Sequence, residues 1–334
     1  MLLPWLRLFR LAGLTTIFSN LLAVLVASGL ASADIARELL QHRPDALWVL
    51  AASVSVYLAG MIWNDLCDVE RDILIAPRRP LPSGQISYFS AWMAGVICAV
   101  LALFFAAQLG WRGFCALSIV LSCALLYNVG LKNIPWLGSL AMAATRASHA
   151  VFAMLMLGPE HFDALLLSTM SLFNADLRLV GAGSGQHSAY PLMLGAYIFG
   201  ITLMSELEHR RSYRWELLIA TVIIAASLLW VVLHGAFQPR LRDLLIERQV
   251  TAASLIIGGL LLLSSWAVWR LGVVILPALR LASRQLIGPF MVRALSGIII
   301  FDAIFVVVLV PELTLVVLCL LPPFLVIGRL ARMD

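Results

Sequence analysis

The chain has 334 residues, 62% of them hydrophobic and 12% charged, with a formal net charge of +5. A mean hydropathy of +0.98 excludes an ordinary soluble domain, which needs more polar surface to cover its core. The basic excess suggests no nucleic-acid partner, because no Lys/Arg cluster with interleaved aromatics lies outside the apolar segments. Several apolar stretches reach the roughly 20 residues that cross the hydrocarbon as a helix. They run continuously rather than in alternation, so helices are predicted and not barrel strands.

In chain order, spans are predicted near 13–31, 46–63, 89–108, 112–128, 137–157, 190–208, 216–235, 250–270, 291–309 and 312–328. Only Pro311 and Glu312 part the last two, so they form either a hairpin or one kinked element, and nine or ten spans both fit. Met1 to Asn20 lacks a small-residue cleavage site after its apolar stretch and reads as the lead into the first span, not a signal peptide. With the N-terminus in the cytoplasm, the inner loops hold roughly twice as many Lys and Arg as the outer ones, which predicts an N-in, C-in protein of the inner membrane. The longest outer loop, 158–189, contains Asp176, Arg178 and a Gly-rich GAGSGQ stretch, and its 163–180 portion is predicted to lie along the membrane surface. One membrane domain is expected over 1–334. Cys67, Cys98, Cys115, Cys123 and Cys319 show no metal spacing and read as small core residues.

The stretch Asn64-Asp-Leu-Cys-Asp-Val-Glu-Arg-Asp72 follows the second span. If the helix continues, residues turn by about 100° each, so Asp65, Asp68 and Asp72 share a narrow arc while Glu70 and Cys67 point elsewhere. Carboxylates on one stripe repel unless a cation neutralises them. Hard oxygens suit Mg²⁺, which is held by one or two carboxylates plus substrate phosphates. Asn64 adds an amide oxygen. Arg78 and Arg79, followed by the turn Pro80-Leu-Pro-Ser-Gly84, bring two guanidiniums that suit phosphate. The bland alternative is a solvated helix end with its acids paired to Arg71, Arg78 or Arg79.

NDLCDVERD followed by APRRPLPSGQIS resembles the first aspartate-rich signature of the UbiA prenyltransferase superfamily. Arg10 with Asn20, and Tyr127-Asn128 with Lys132 and Pro135, are similar to further elements of that family. The resemblance implies an all-α helical bundle with a central cavity, open to the cytoplasmic side and laterally to lipid. It implies Mg²⁺-dependent transfer of a prenyl group from an isoprenoid diphosphate to a small, often aromatic, acceptor. By the same resemblance Asp65, Asp68 and Asp72 would hold Mg²⁺, and Arg78, Arg79 and Lys132 would neutralise the diphosphate; Asn64 and Arg146 are read from their own positions as further diphosphate-binding candidates.

The sixth span departs from the family, since Thr202-Leu-Met-Ser-Glu-Leu-Glu-His-Arg210 contains no aspartate. Ser205, Glu206, Glu208 and Asn20 are the second-site candidates; Glu206 and Glu208 lie about 200° apart on a regular helix and cannot both face one site, and Glu208 is favoured to face the cavity. The alternative pairs Glu206 with Arg210 at i, i+4. The run YIFGITLMSELE, with LGSLAMAATR ending at Arg146, is similar to the EboC-like subgroup. Arg146, inside a span, is costly unless it faces a polar cavity, and it reads as facing the phosphate or the acceptor, the alternative being a structural pair. His149 shares its face and reads as a packed, hydrogen-bonded side chain, and Asp302 as a packing hydrogen bond or a functional acid in equal measure. The degenerate second motif leaves an alternative function, a catalytically divergent member that binds or helps export an isoprenoid or aromatic compound.

Overall fold

The computed structural model describes residues 2–28, 44–157, 189–209, 214–281 and 287–330. The 158–188 stretch, with Asp176 and Arg178, and Arg210 lie outside the described residues. The regular elements among the described residues are all helical, in the order α1 (Leu2–Leu8), a 3₁₀ turn (Leu11–Gly13), α2 (Leu14–Ala27), α3 (Pro44–Ile75), α4 (Tyr88–Ala107), α5 (Gly110–Val129), a second 3₁₀ turn (Leu131–Asn133), α6 (Leu137–Leu157) and α7 (Tyr190–His209). Then come α8 (Arg214–Ala236), α9 (Pro239–Ile246), α10 (Val250–Leu281), α11 (Ile287–Leu309), α12 (Pro311–Leu318) and α13 (Leu321–Leu330). Eight helical segments among the described residues are long and apolar enough to cross a membrane. Leu11–Ala27 is a shorter apolar helix.

The second span differs from expectation in length. It was predicted to end near residue 63, yet α3 runs on to Ile75. Leu, Glu and Arg favour helix there, and Pro77 supplies the stop, because the residue before a proline is pushed out of the α region. The acids therefore ride on a continuous helix.

Membrane helices gain little from hydrophobic burial against each other and pack through small residues instead. On α4 the buried residues are all small, Ala91, Gly95, Ala102 and Ala106, and this stripe seats α4 on α3. Its opposite face shows Phe89, Ile97, Val100 and Phe104 to the outside. The centre of the bundle is α11, which packs against α2, α7, α8 and α10. In the apolar window of Pro289–Leu309, 78% of residues are buried, against 22% for α4, so α11 is the interior helix and α4 a peripheral one. An all-round apolar helix suits such a place.

The cysteines depart from the reading as core residues. Cys67 and Cys319 are exposed and Cys98, Cys115 and Cys123 are half-buried, all of them free. Where lipid is the solvent, an outward helix face tolerates a weakly polar thiol as well as the interior does.

Candidate functional site

The stripe Ser53, Val56, Tyr57, Gly60, Met61, Asn64 and Asp65 of α3 lines one wall of a cavity of about 1100 Å³. The spacing is the i, i+3, i+4, i+7 repeat of one helix face. Other walls come from the first segment (Arg7, Arg10, Gly13, Thr16), α5 (Tyr127, Asn128), α6 (Arg146, His149), α7 (Thr202, Ser205) and α13 (Phe324, Arg329). Arg78 and Arg79 close the end beside the Ala76–Ser87 loop, called here the loop end.

The loop is held firmly. The Ser83 N–H donates to the Arg79 carbonyl at 3.0 Å and the Ile86 N–H to that of Pro80 at 3.1 Å. Gly84 takes φ +73, which glycine adopts without steric cost. Leu81 and Ile86 are buried with Leu8, Ile62, Leu66 and Ala91 in a small separate core. Ser87 caps α4 by accepting the Ser90 N–H at 3.0 Å. Arg78 and Arg79 are thus fixed beside the end of α3.

Each of the three aspartates is buried and meets its own cation. Asp65 accepts from Arg10 at 2.6 Å. Asp68 pairs with Lys132 at 2.8 Å and more loosely with Arg71 at 3.6 Å. Asp72 pairs with Arg79 at 2.5 Å, and its Oδ1 is buried without a hydrogen-bond partner. Asp65 lines the cavity; Asp68 and Asp72 continue the same helical stripe past it, while Cys67 and Glu70 are exposed. Among the described residues no three His, Cys, Asp or Glu side chains gather closely enough to hold a metal by themselves. Lys132 also lies 3.4 Å from the Asn64 side-chain oxygen, so one ammonium links Asp68 to Asn64.

Arg10 and Tyr57 deserve a place in the site that sequence reasoning did not give them in full. Arg10 sits between α1 and the 3₁₀ turn at φ 44, ψ 54. A left-handed, non-glycine residue is strained, and such strain collects at functional sites. The Tyr57 hydroxyl donates to the Arg10 carbonyl at 2.8 Å, pinning that bend. Tyr57 lies eight residues before Asp65 on the lining stripe, so helical spacing was the available signal. No spacing links Arg10 to Asp65, 55 residues apart.

The end of α7 is different. Glu206 does not line the cavity. It accepts the Trp136 N–H at 3.1 Å, the Ser139 N–H at 3.1 Å and the Ser139 hydroxyl at 2.5 Å. It therefore caps the N-terminus of α6, where an acid is also favoured by the helix dipole. Ser205 and Thr202 line the cavity, and their hydroxyls donate back to carbonyls of their own helix. The Glu208 side chain lies outside the described residues.

Asn20 lies deeper, in a closed network. Asp302 accepts from Ser19 at 2.6 Å, Asn20 at 2.8 Å and Tyr190 at 2.7 Å. Asp302 therefore ties α2, α7 and α11 together through packing hydrogen bonds. Arg146 and His149 line the cavity, but His149 is not the hydrogen-bonded side chain expected, because both its ring nitrogens are buried without partners.

Known proteins resemble this chain in sequence and in fold. A digeranylgeranylglyceryl phosphate synthase from Pyrococcus horikoshii is 31% identical over 100 residues, a segment covering 30% of this chain and 36% of that protein. The chain thus matches little more than a third of that relative. A solved structure, from work on the biosynthesis of digeranylgeranylglyceryl phosphate synthase in membranes, superposes with a TM-score of 0.55 at 16% identity, covering 92% of this chain and 98% of the other. The apo structure of a UbiA homolog from Aeropyrum pernix K1 superposes with the same TM-score at 18% identity, covering 87% and 97%. At such identities the two structures share the fold. The sequence pattern of the UbiA prenyltransferase family itself matches residues 17–238, from the start of α2 through the aspartate helix to the end of α8, and the chain is therefore a multi-pass integral membrane protein belonging to that family.

Proposed function

We propose that this protein transfers a prenyl group from an isoprenoid diphosphate to a small aromatic or otherwise lipophilic acceptor. The observation that carries this reading is the cavity itself, which sets Asp65 and Asn64 among Arg10, Arg78 and Arg79 at the loop end and continues between largely apolar walls. The bundle acts as one domain of the inner membrane, its N-terminus and loop end facing the cytoplasm, in keeping with the Lys/Arg bias of its loops. Membrane lipid surrounds it, and the α6 and α7 sequences favour the EboC-like subgroup.

The chemistry follows from charge. When the allylic C–O bond breaks, its electron pair leaves with the diphosphate. Arg10, Arg78, Arg79 and, beside Asn64, Lys132 would stabilise that charge, with guanidiniums suited to bidentate phosphate contact. The prenyl cation faces the rings of Tyr57 and Tyr127, whose π-faces stabilise positive charge. Apolar walls keep water from quenching it. The acceptor's nucleophilic atom then forms the new bond to the prenyl carbon and releases its proton.

The donor set suits Mg²⁺ in its substrate-sharing form. Asp65, Asp68, Asp72 and Asn64 offer hard oxygens, and the partnerless buried Asp72 Oδ1 is an acceptor that a cation would satisfy. One or two carboxylates with phosphate oxygens suffice for this ion, so a closed protein cage is not required. Once bound, the metal would neutralise the departing diphosphate.

A second reading is favoured by Glu206. Its oxygens are committed to α6, leaving no described acid opposite Asp65 for a second metal, so a divergent, non-catalytic binder of the same isoprenoid is the competing account. The test is turnover of full-length protein in lipid nanodiscs, with labelled farnesyl and geranylgeranyl diphosphate, Mg²⁺ and a panel of phenolic and lipid acceptors. Asp68→Asn is expected to lower turnover at least 100-fold, about 2.7 kcal/mol of barrier. The double variant Asp68→Ala/Lys132→Met guards against a stranded buried Lys132 charge and should be equally inactive while folded. Diphosphate binding without turnover in the wild-type protein would instead establish the divergent binder.

A further inference from the structure

Outside the cavity, the α10–α11 pair carries positive charge that no acid answers. From Arg248 to Phe301 the sequence holds Arg248, Arg270, Arg280, Arg284 and Arg293 and neither Asp nor Glu. Two of these meet between the helices. The Arg270 Nη2 donates to the Ser296 hydroxyl of α11 at 2.6 Å, and its guanidinium carbon stands 5.5 Å from the centre of the Trp266 ring. Arg293 lies one turn before Ser296 and acts on Arg270 as a like charge. Its own hydrogen bond is long, 3.5 Å to the Pro289 carbonyl. Neither arginine forms an ion pair with a described residue, and the Arg270 Nε is buried without a partner.

The depth of the pair matters. Arg270 lies twenty residues after Val250, about 30 Å along α10, which is the thickness of the hydrocarbon. The helix runs on to Leu281. Arg270 therefore sits at headgroup level. Six helices, α4 to α8 and α10, carry the chain from the loop end to this point, an even number of crossings, so the pair lies on the loop-end side. Beside Arg270 the outer face of α10 is apolar, with Leu262, Trp269 and Val273 exposed. Leu262 is eight residues, about 12 Å, farther into the bilayer, and Trp266 and Trp269 stand at the interfacial level where such rings collect.

We propose that Arg270 and Arg293 seat the phosphate of an anionic phospholipid, its acyl chains laid along Leu262 and Trp269 of α10. Two guanidiniums with no acid between them repel unless an anion joins them, and Arg suits phosphate oxygens. Basic pockets between spanning helices bind lipid headgroups in this way. A zwitterionic headgroup gains less. Its ammonium would meet two positive charges, and the Trp266 face that could hold it already lies by Arg270. The seat is independent of the prenyl-transfer reading. Because α11 presents Met291, Val292 and Leu295 to the cavity, a lipid held here braces that wall from outside.

The test is native mass spectrometry of the full-length protein, delipidated in neutral detergent, with dioleoyl phosphatidylglycerol or dioleoyl phosphatidylcholine added. The first phosphatidylglycerol should bind about fivefold tighter or more, the worth of one arginine near an anionic surface, and should raise the melting temperature. Arg293→Gln should remove most of that preference. Arg270→Gln should do the same, and it leaves Ser296 bonded to the carbonyls of Val292 and Arg293. Arg112→Gln, which changes an exposed arginine at the other end of the bundle, should keep the preference intact. Free glycerol phosphate should not compete, since it lacks the chains that α10 receives. Equal affinity for the two lipids, a preference unchanged in Arg293→Gln, or one lost equally in Arg112→Gln overturns the seat. Competition by glycerol phosphate overturns it too, in favour of a soluble phosphate. Should Arg270→Gln fail to fold, Arg293→Gln decides alone, because its side chain is only half-buried.

Discussion

Two helix ends in this bundle carry acids, and they use them in opposite ways. At the end of α3, Asp65, Asp68 and Asp72 each face a side-chain cation, Arg10, Lys132 and Arg79 respectively. At the end of α7, Glu206 faces backbone and hydroxyl donors of α6. The first arrangement leaves charge that a substrate or metal can reorganise, because a side-chain cation can turn to a new anion without unwinding a helix. The second leaves none, because backbone N–H groups cannot move without unwinding the helix they belong to. A carboxylate's role is thus set by whether its partners can be exchanged.

The largest expected effect breaks the α3 end. Asp65→Asn should lower prenyl-transfer turnover by about 100-fold or more, near 2.7 kcal/mol, measured with labelled diphosphate in nanodiscs. Its melting temperature should stay near that of the wild type, because the Arg10 side chain it releases is 40% exposed and finds water. The next effect breaks the α7 end with the opposite signature. Glu206→Ala strands the N–H groups of Trp136 and Ser139, which should cost about 1–3 kcal/mol of stability, read as a lowered melting temperature in detergent. Loss of activity should follow only as α6 frays. Equal stability loss in both variants, or activity loss without destabilisation in Glu206→Ala, would erase the distinction between the two ends.

Much of this was legible in the chain and some was not. Long apolar runs disclose the spans because lipid requires internally bonded helices, and α6 falls on its predicted 137–157 range. The aspartate stripe was legible because helical geometry alone fixes which of Asp65, Cys67, Asp68, Glu70 and Asp72 share an arc. The partners were not. Arg10 to Asp65 and Glu206 to Ser139 bridge 55 and 67 residues, and no local pattern encodes which distant helix comes alongside. The spacing of Glu206 and Glu208 showed that both cannot face one site, but it suggested a surface pair with Arg210 where the fold provides a helix cap.

A smaller effect sharpens the view of exchangeable partners. A Cβ at Gly138 would lie 2.9 Å from the Lys132 Cα, a backbone atom with little room to yield. Gly138→Ala should therefore displace Lys132 from Asp68 and Asn64 without removing any charge. The expected outcome is a several-fold rise in KM for the diphosphate with a lesser change in kcat. An unchanged KM would mean that the ammonium reaches the diphosphate from more than one position.

The smallest effect tests how narrow the functional arc is. Glu70 stands between Asp68 and Asp72 in sequence, yet it is exposed and turned off their face. If acidity near the membrane surface were enough, Glu70→Gln would weaken diphosphate binding nearly as much as its neighbours do. If position on the helix decides, the substitution removes only a solvated charge. Exposed substitutions away from such features stay within about 0.5 kcal/mol, and screening by salt mutes a surface charge further. Turnover and melting temperature should both match the wild type, at low and at high ionic strength. A drop in turnover confined to low salt would show that the acidic end acts as a diffuse field, and the stripe of three would lose its special standing.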